Sequence, residues 1–214
     1  MNPTCCGPSS PSPNPAASPP PPSGCASTLL PGILARFAQT HPQVHVEVVC
    51  RPSVDLLRDL AAGELDLALV TQGSGETGGT LVHREPLVWI TSAHHRVHED
   101  SPLPLAVCEQ GCLFRRYATE RLAQRGRQAR VAYTSVSVAG IYAALEAGLA
   151  CSVLLRSNVR PGLRVLSEAD GFPKLPEIGV TLQRSTHATG RLIDRLEQHM
   201  LDAFSSAPSF ALAA

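Results

Sequence analysis

The chain has 214 residues, 43% of them hydrophobic but only 4% aromatic. Leucine, valine and alanine must therefore build its core, and the length suits one ordinary domain or two small lobes. Its 18 basic and 18 acidic residues cancel, which argues against a chain that holds nucleic acid through its overall field. The sequence holds no run of about 18 apolar residues, so no transmembrane helix and no membrane partner are expected.

Residues 1–24 carry nine of the 19 prolines and no Leu, Ile, Val or aromatic residue. Such a stretch buries no apolar surface, so residues 1–25 read as a disordered or polyproline II tail. It lacks the basic start and apolar run of a signal peptide. Seven cysteines, an odd count in a chain of this size, point to reduced thiols rather than a disulfide scaffold.

The spacing predicts a helix over 28–40, with Leu30, Ile33, Leu34 and Phe37 on one face and Pro31 in its first turn. Residues 44–50 alternate, with Val44, Val46 and Val48 on one side, and predict a strand. Ser53 then reads as the N-cap of a helix whose apolar stripe is Val54, Leu57, Leu60 and Ala61, with Asp55, Arg58 and Asp59 off it. Gly63 stops that helix, and Leu65 to Val70 follows as a buried strand interrupted by Asp66. A glycine-rich loop over 71–80, an extended segment over 81–92 and a polar loop over 93–104 come next. In the second half, helices are predicted over 113–124, 138–147 and 188–204, and strands over 129–133, 149–155 and 178–183.

Two stretches carry a resemblance. The run from Ser53 ending in AAGELDLALV, and Cys112 to Leu155, reading CLFRRYATERLAQRGRQARVAYTSVSVAGIYAALEAGLACSVLL, are similar to the effector-binding domain of LysR-type transcriptional regulators. The resemblance covers roughly 26–204. It implies an α/β, two-lobed fold of the periplasmic-binding-protein type 2, with lobe one over 26–90 and 184–206, lobe two over 91–183 and a flexible terminus over 207–214. Periodicity by itself supports only α/β. Where the family has a first strand, this chain has Pro19 to Pro22. Proline donates nothing to a sheet ladder, so lobe one is expected to lack one strand.

Three loop-to-helix junctions carry small hydroxyl residues, Ser27-Thr28, Ser53 and Thr134-Ser135-Ser137, and free N–H groups at helix starts suit an anion. The resemblance places Ser27, Thr28, Thr71, Gln72, Thr134, Ser135 and Ser137 on loops facing the cleft between lobes, and leaves Ser53 as a plain cap. Arg115 is the candidate charge partner for a bound anion. The cluster His94, His95, Arg96, His98, Glu99 and Asp100 lies in a loop without helix periodicity and reads as a solvated turn. Cys108 and Cys112 are spaced C-x3-C but lack matched further ligands, so no metal is expected. No nucleophile elbow, phosphate loop or dinucleotide fingerprint occurs, so neither catalysis nor a cofactor is expected.

These readings point to a cytoplasmic effector-sensing domain, not an enzyme. It binds a small, anionic molecule and forms a homodimer, or a heterodimer with a full-length regulator, without binding DNA specifically itself. The resemblance places the dimer contact on helices 28–40 and 138–147, with Ala35, Ala38 and Ala144 as spare apolar positions. Two alternatives stay open: a transporter's solute-binding protein, which predicts a secretory signal or lipid anchor, and an enzyme on the same bilobal fold, which needs a convergent acid/base set.

Overall fold

A computed structural model describes residues 25–73 and 78–206, with side chains from residue 30 onward. The proline-rich tail and the C-terminal residues 207–214 lie outside it.

The first helix, α1 (Cys25–Thr40), buries Ile33 and Phe37, one turn apart. It packs on the last helix, α5 (Arg191–Ser206), which offers Met200, Ala203 and Phe204. His199 of α5 lies 3.2 Å from the Ile33 carbonyl, and Phe37 stacks on His41 with ring centroids 4.5 Å apart. Helix α2 (Ser53–Ala62) ends at Gly63, whose φ of 75° is the left-handed conformation a helix stop requires.

Strand β1 (Leu67–Gln72) pairs antiparallel with β7 (Glu177–Arg184), and β7 pairs with the first half of β2 (Thr80–Ser92). The second half of β2 turns to new neighbours, β5 (Ser152–Leu155) on one side and β6 (Leu163–Leu166) on the other. Pro86 stands at this handover, where β7 pairing ends. β2 therefore runs through both halves of the molecule. In the second half, β3 (Leu103–Val107) pairs in parallel with β4 (Ala129–Thr134), and Cys151 bridges to β3 from the other side. Helices α3 (Leu113–Gln124) and α4 (Val138–Glu146) cover this half with Phe114, Ala118 and Leu122, and with Val138, Ile141 and Leu145.

The apolar core is unevenly divided. One large cluster, centred on Trp89, Leu103, Ile141, Leu145 and Phe172, fills the second half. The first half has two small clusters, one around Ile33, Leu182 and Phe204 and one of Leu60, Ala68 and Val70.

Several expectations are corrected. Residues 44–50 form no strand and enter no ladder. Among the described residues no strand lies along the free edge of β1, so the alternating valines have no sheet to join, and Val48 is 47% exposed. In α2 the buried face is Asp59 and Leu60, whereas Val54 and Leu57 of the expected stripe are exposed. Asp59 tolerates burial because Arg51 pairs with it at 2.6 Å and Arg58 at 3.2 Å. β3 stands where a loop was expected to be ending, and β6 was not anticipated, because both are short and depend on neighbours distant in sequence. Ala144 is a core residue rather than a spare surface position, while Ala35 and Ala38 are exposed.

Candidate functional site

Ser53 does not cap α2. The N-cap position is Pro52, which has no side-chain cap, and the Ser53 hydroxyl reaches across to β1 instead. It accepts the Thr71 backbone N–H at 3.1 Å and lies 3.1 Å from the Thr71 hydroxyl. Ser53 is thereby joined to Thr71, a residue of the expected cleft loops. Gln72, next to Thr71, is buried. The side chains of Ser27 and Thr28 lie outside the described residues.

In the second half, the Ser135 N–H donates to the Val107 carbonyl at 3.1 Å, which seats the post-β4 loop on the end of β3. The Ser135 hydroxyl donates to the Ser137 carbonyl at 2.8 Å and accepts the Ser137 N–H at 3.1 Å. Ser137 caps α4 by accepting the Ala139 N–H at 3.1 Å. Gly140 is required beside this loop, since a Cβ there would overlap the Ser135 hydroxyl. Thr134 is exposed at the end of β4. Arg115, half-buried in the first turn of α3, donates from Nη1 to the Cys108 carbonyl at 3.1 Å and so braces the loop that follows β3.

That loop, 108–112, meets the first half of the molecule. Gly111 has a φ of 88°, and a Cβ placed on it would lie 3.7 Å from Val54 Cγ1. The loop that leads into α3 therefore comes near Val54 in the first turn of α2. The carboxyl ends of parallel strands such as β3 and β4 are where α/β folds present ligand-binding loops.

Two features of this loop region were missed in the sequence. Cys108 and Cys112, read there only as an incomplete metal motif, are adjacent free thiols joined by a side-chain hydrogen bond. That bond holds the Cys112 thiol below the ordinary cysteine value, while Cys108, as its donor, is pushed far up. The C-x3-C spacing was the available signal. In the histidine cluster, His94, His95, Arg96, Glu99 and Asp100 are exposed as a solvated turn would have them, but His98 is not. His98 is 8% exposed, its Nε2 is 2.8 Å from Arg164 Nη2, and its carbonyl accepts from Arg127. His95 Nδ1 lies 2.9 Å from the Ser92 hydroxyl. Among the described residues no group of three or more His, Cys, Asp or Glu side chains is placed to hold a metal.

Comparison with known proteins gives this geometry a context. A family model, the LysR substrate binding domain, matches residues 22–205. The HTH-type transcriptional regulator DgdR of Burkholderia cepacia is 33% identical over 179 residues, covering 82% of this chain. The chain spans 61% of that regulator's length. The regulatory domain of Synechocystis PCC6803 CcmR, solved in complex with 2-PG, superposes with a TM-score of 0.64 at 19% identity, covering 85% of this chain and 94% of that one. The effector-binding domain of QuiR, solved with shikimate, has a TM-score of 0.62 at 13% identity, covering 83% and 91%. These two share the fold of two α/β lobes. From its match along nearly the whole described length, the chain belongs to the LysR substrate-binding domain family.

Proposed function

We propose that this chain is the effector-sensing part of a LysR-type transcriptional regulator. A small anion seats between lobe one (26–90 with 184–206) and lobe two (91–183), and its occupancy is passed to a dimer interface in the cytoplasm. The observation that carries this reading is the approach of loop 108–112 to the first turn of α2. On this reading the two sets of hydroxyls and backbone donors, Ser53 with Thr71 and Ser135 with Ser137, line one crevice together with the Arg115 guanidinium. Hydroxyls and arginine together suit a carboxylate or phosphate. The shikimate on QuiR, a carboxylate, and the 2-PG on CcmR support the same ligand class. A ligand that contacts both lobes stabilises their closed arrangement by its differential affinity, as two-state sensing requires. With zero net charge, the chain is proposed to sense rather than to read DNA, and to carry no catalysis.

Thermal shift with a panel of small carboxylates, phosphates and neutral sugars tests this. An anion that binds raises the unfolding free energy by about 2.7 kcal/mol at a hundred times its Kd. In the double variant Arg115→Ala, Ser135→Ala the shift is expected to fall by at least tenfold in apparent affinity. A saturable shift that is unchanged in that variant, or that neutral sugars match, refutes the anion site.

A further inference from the structure

We propose that the open edge of β1 is a docking surface for an extended segment of another polypeptide, which adds to the sheet as a further strand. The segment that fits is as long as the six residues of β1, apolar at successive positions, free of proline, and basic where it meets the start of β1.

The backbone of β1 is half used. Among the described residues β1 pairs with β7 on one side and with no strand on the other. The bond from the Ser185 N–H to the Asp66 carbonyl sets the alternation, so Leu67, Leu69 and Thr71 turn their amides and carbonyls to the open side. The Ser53 hydroxyl takes the Thr71 amide. The other two amides and all three carbonyls are left at strand spacing, the pattern to which an added strand bonds.

Both faces of this edge are apolar. Leu67 and Leu69 pack with Ile33, Met200 and Phe204, whereas Ala68 and Val70 pack with Leu60. A strand laid beside β1 alternates its side chains between these two faces, so every position of it meets apolar neighbours.

The edge also lacks the devices that keep edges apart. Natural edge strands are blunted by proline, by charge or by a bulge. The sequence LALVTQ holds no proline and no charge, and its pairing with β7 has no shift of register. β4, likewise at a sheet edge, carries Arg130 and pairs with β3 through a shifted register.

Charge selects among occupants. Glu64 and Asp66 are exposed just ahead of β1, and among the described residues no cation pairs with either. A basic residue on the incoming segment is attracted there. A second copy of β1, paired antiparallel, offers Gln72 and Gly73 at that place and no cation. None of this rests on the anion-sensing reading.

The test adds the peptide Arg-Val-Ala-Val-Ala-Val-Arg, blocked at both ends, to the full chain at neutral pH. Its arginines serve either strand direction. The Leu67 and Leu69 amides are expected to exchange about tenfold more slowly at saturation. The same peptide N-methylated at its five central residues keeps the side chains and charge but loses the donors, and is expected to bind about tenfold more weakly. In the double variant Glu64→Gln, Asp66→Asn, affinity for the unmethylated peptide is expected to fall about threefold. Both peptide arms use the unmodified chain, so they stand whether or not that variant folds. Equal binding of the methylated peptide, saturable binding that leaves Leu67 and Leu69 fast, or no binding at millimolar peptide overturns the proposal. Slow exchange of Leu67 and Leu69 before any peptide is added also overturns it, since the edge is then taken by the chain itself or by a second copy, which sedimentation tells apart.

Discussion

The Ser53 hydroxyl spans from the first turn of α2 to the Thr71 N–H on the free edge of β1, a 3.1 Å bond between residues 18 apart in sequence. It replaces, for one amide, the sheet neighbour that β1 lacks among the described residues. Ser53→Ala leaves that half-buried amide without its acceptor. The expected cost is about 1 kcal/mol, read as a lower urea midpoint with an unchanged m-value. An unchanged midpoint would show that water serves Thr71 as well as Ser53 does.

The same edge makes a residue-by-residue prediction. The Ser185 N–H donates to the Asp66 carbonyl, and the register then places the Ala68, Val70 and Gln72 amides toward β7. Those of Leu67 and Leu69 face the free edge. Hydrogen exchange should therefore alternate, with Leu67 and Leu69 fast and Ala68 and Val70 slow. β5, buried along its whole length, should be protected more strongly than β1. Uniform protection from Leu67 to Val70 would mean that a further strand covers this edge.

Trp89, the chain's one tryptophan, ties the large core to the loop after residue 170. Its Nε1 donates to the Pro173 carbonyl at 2.8 Å, and its ring lies 5.3 Å from that of Phe172. Trp89→Phe keeps an aromatic ring but strands the buried carbonyl and leaves unfilled volume. A loss of about 1–3 kcal/mol is expected, measured by calorimetry since the intrinsic fluorophore is gone. A stability within experimental error of the unmodified chain would place the tryptophan's role elsewhere.

His98 sets an acid limit. Burial, followed by the neighbouring Arg164 charge, holds its imidazole below the ordinary histidine value, with Arg96 adding to this and Glu99 and Asp170 opposing it. The unfolded chain then takes up a proton at about pH 6.5 that the folded chain resists. Stability attributable to this residue is full above that pH and falls as the pH drops through it, levelling below the folded-state value. In His98→Gln the melting temperature should fall less between pH 7 and pH 5 than in the unmodified chain. Parallel pH curves for the two proteins would contradict the buried neutral imidazole.

Local chemistry made much of this molecule legible in its sequence. Helix α3 was readable from residue to residue because Leu113, Phe114, Ala118 and Leu122 recur at helical spacing and Gly126 follows. The turn from α2 into β1 was readable from Gly63, and the two matching stretches carried the fold class and the family with them. Elements whose existence depends on a distant partner were not. The alternating valines at 44–50 predict a strand, yet a strand needs a neighbour to bond, and the described sheet has none at that edge. β3 and β6 form because β4, Cys151 and β2 supply ladders from elsewhere in the chain. The site divides in the same way. Hydroxyl residues at helix starts mark themselves in sequence, because capping is a contact within a few residues. That Ser53 serves Thr71 rather than its own helix, that His98 is buried against Arg164, and that loop 108–112 comes near Val54 were decided only by tertiary packing. Each of these contacts joins residues between 18 and 66 positions apart, a separation over which no local pattern carries information.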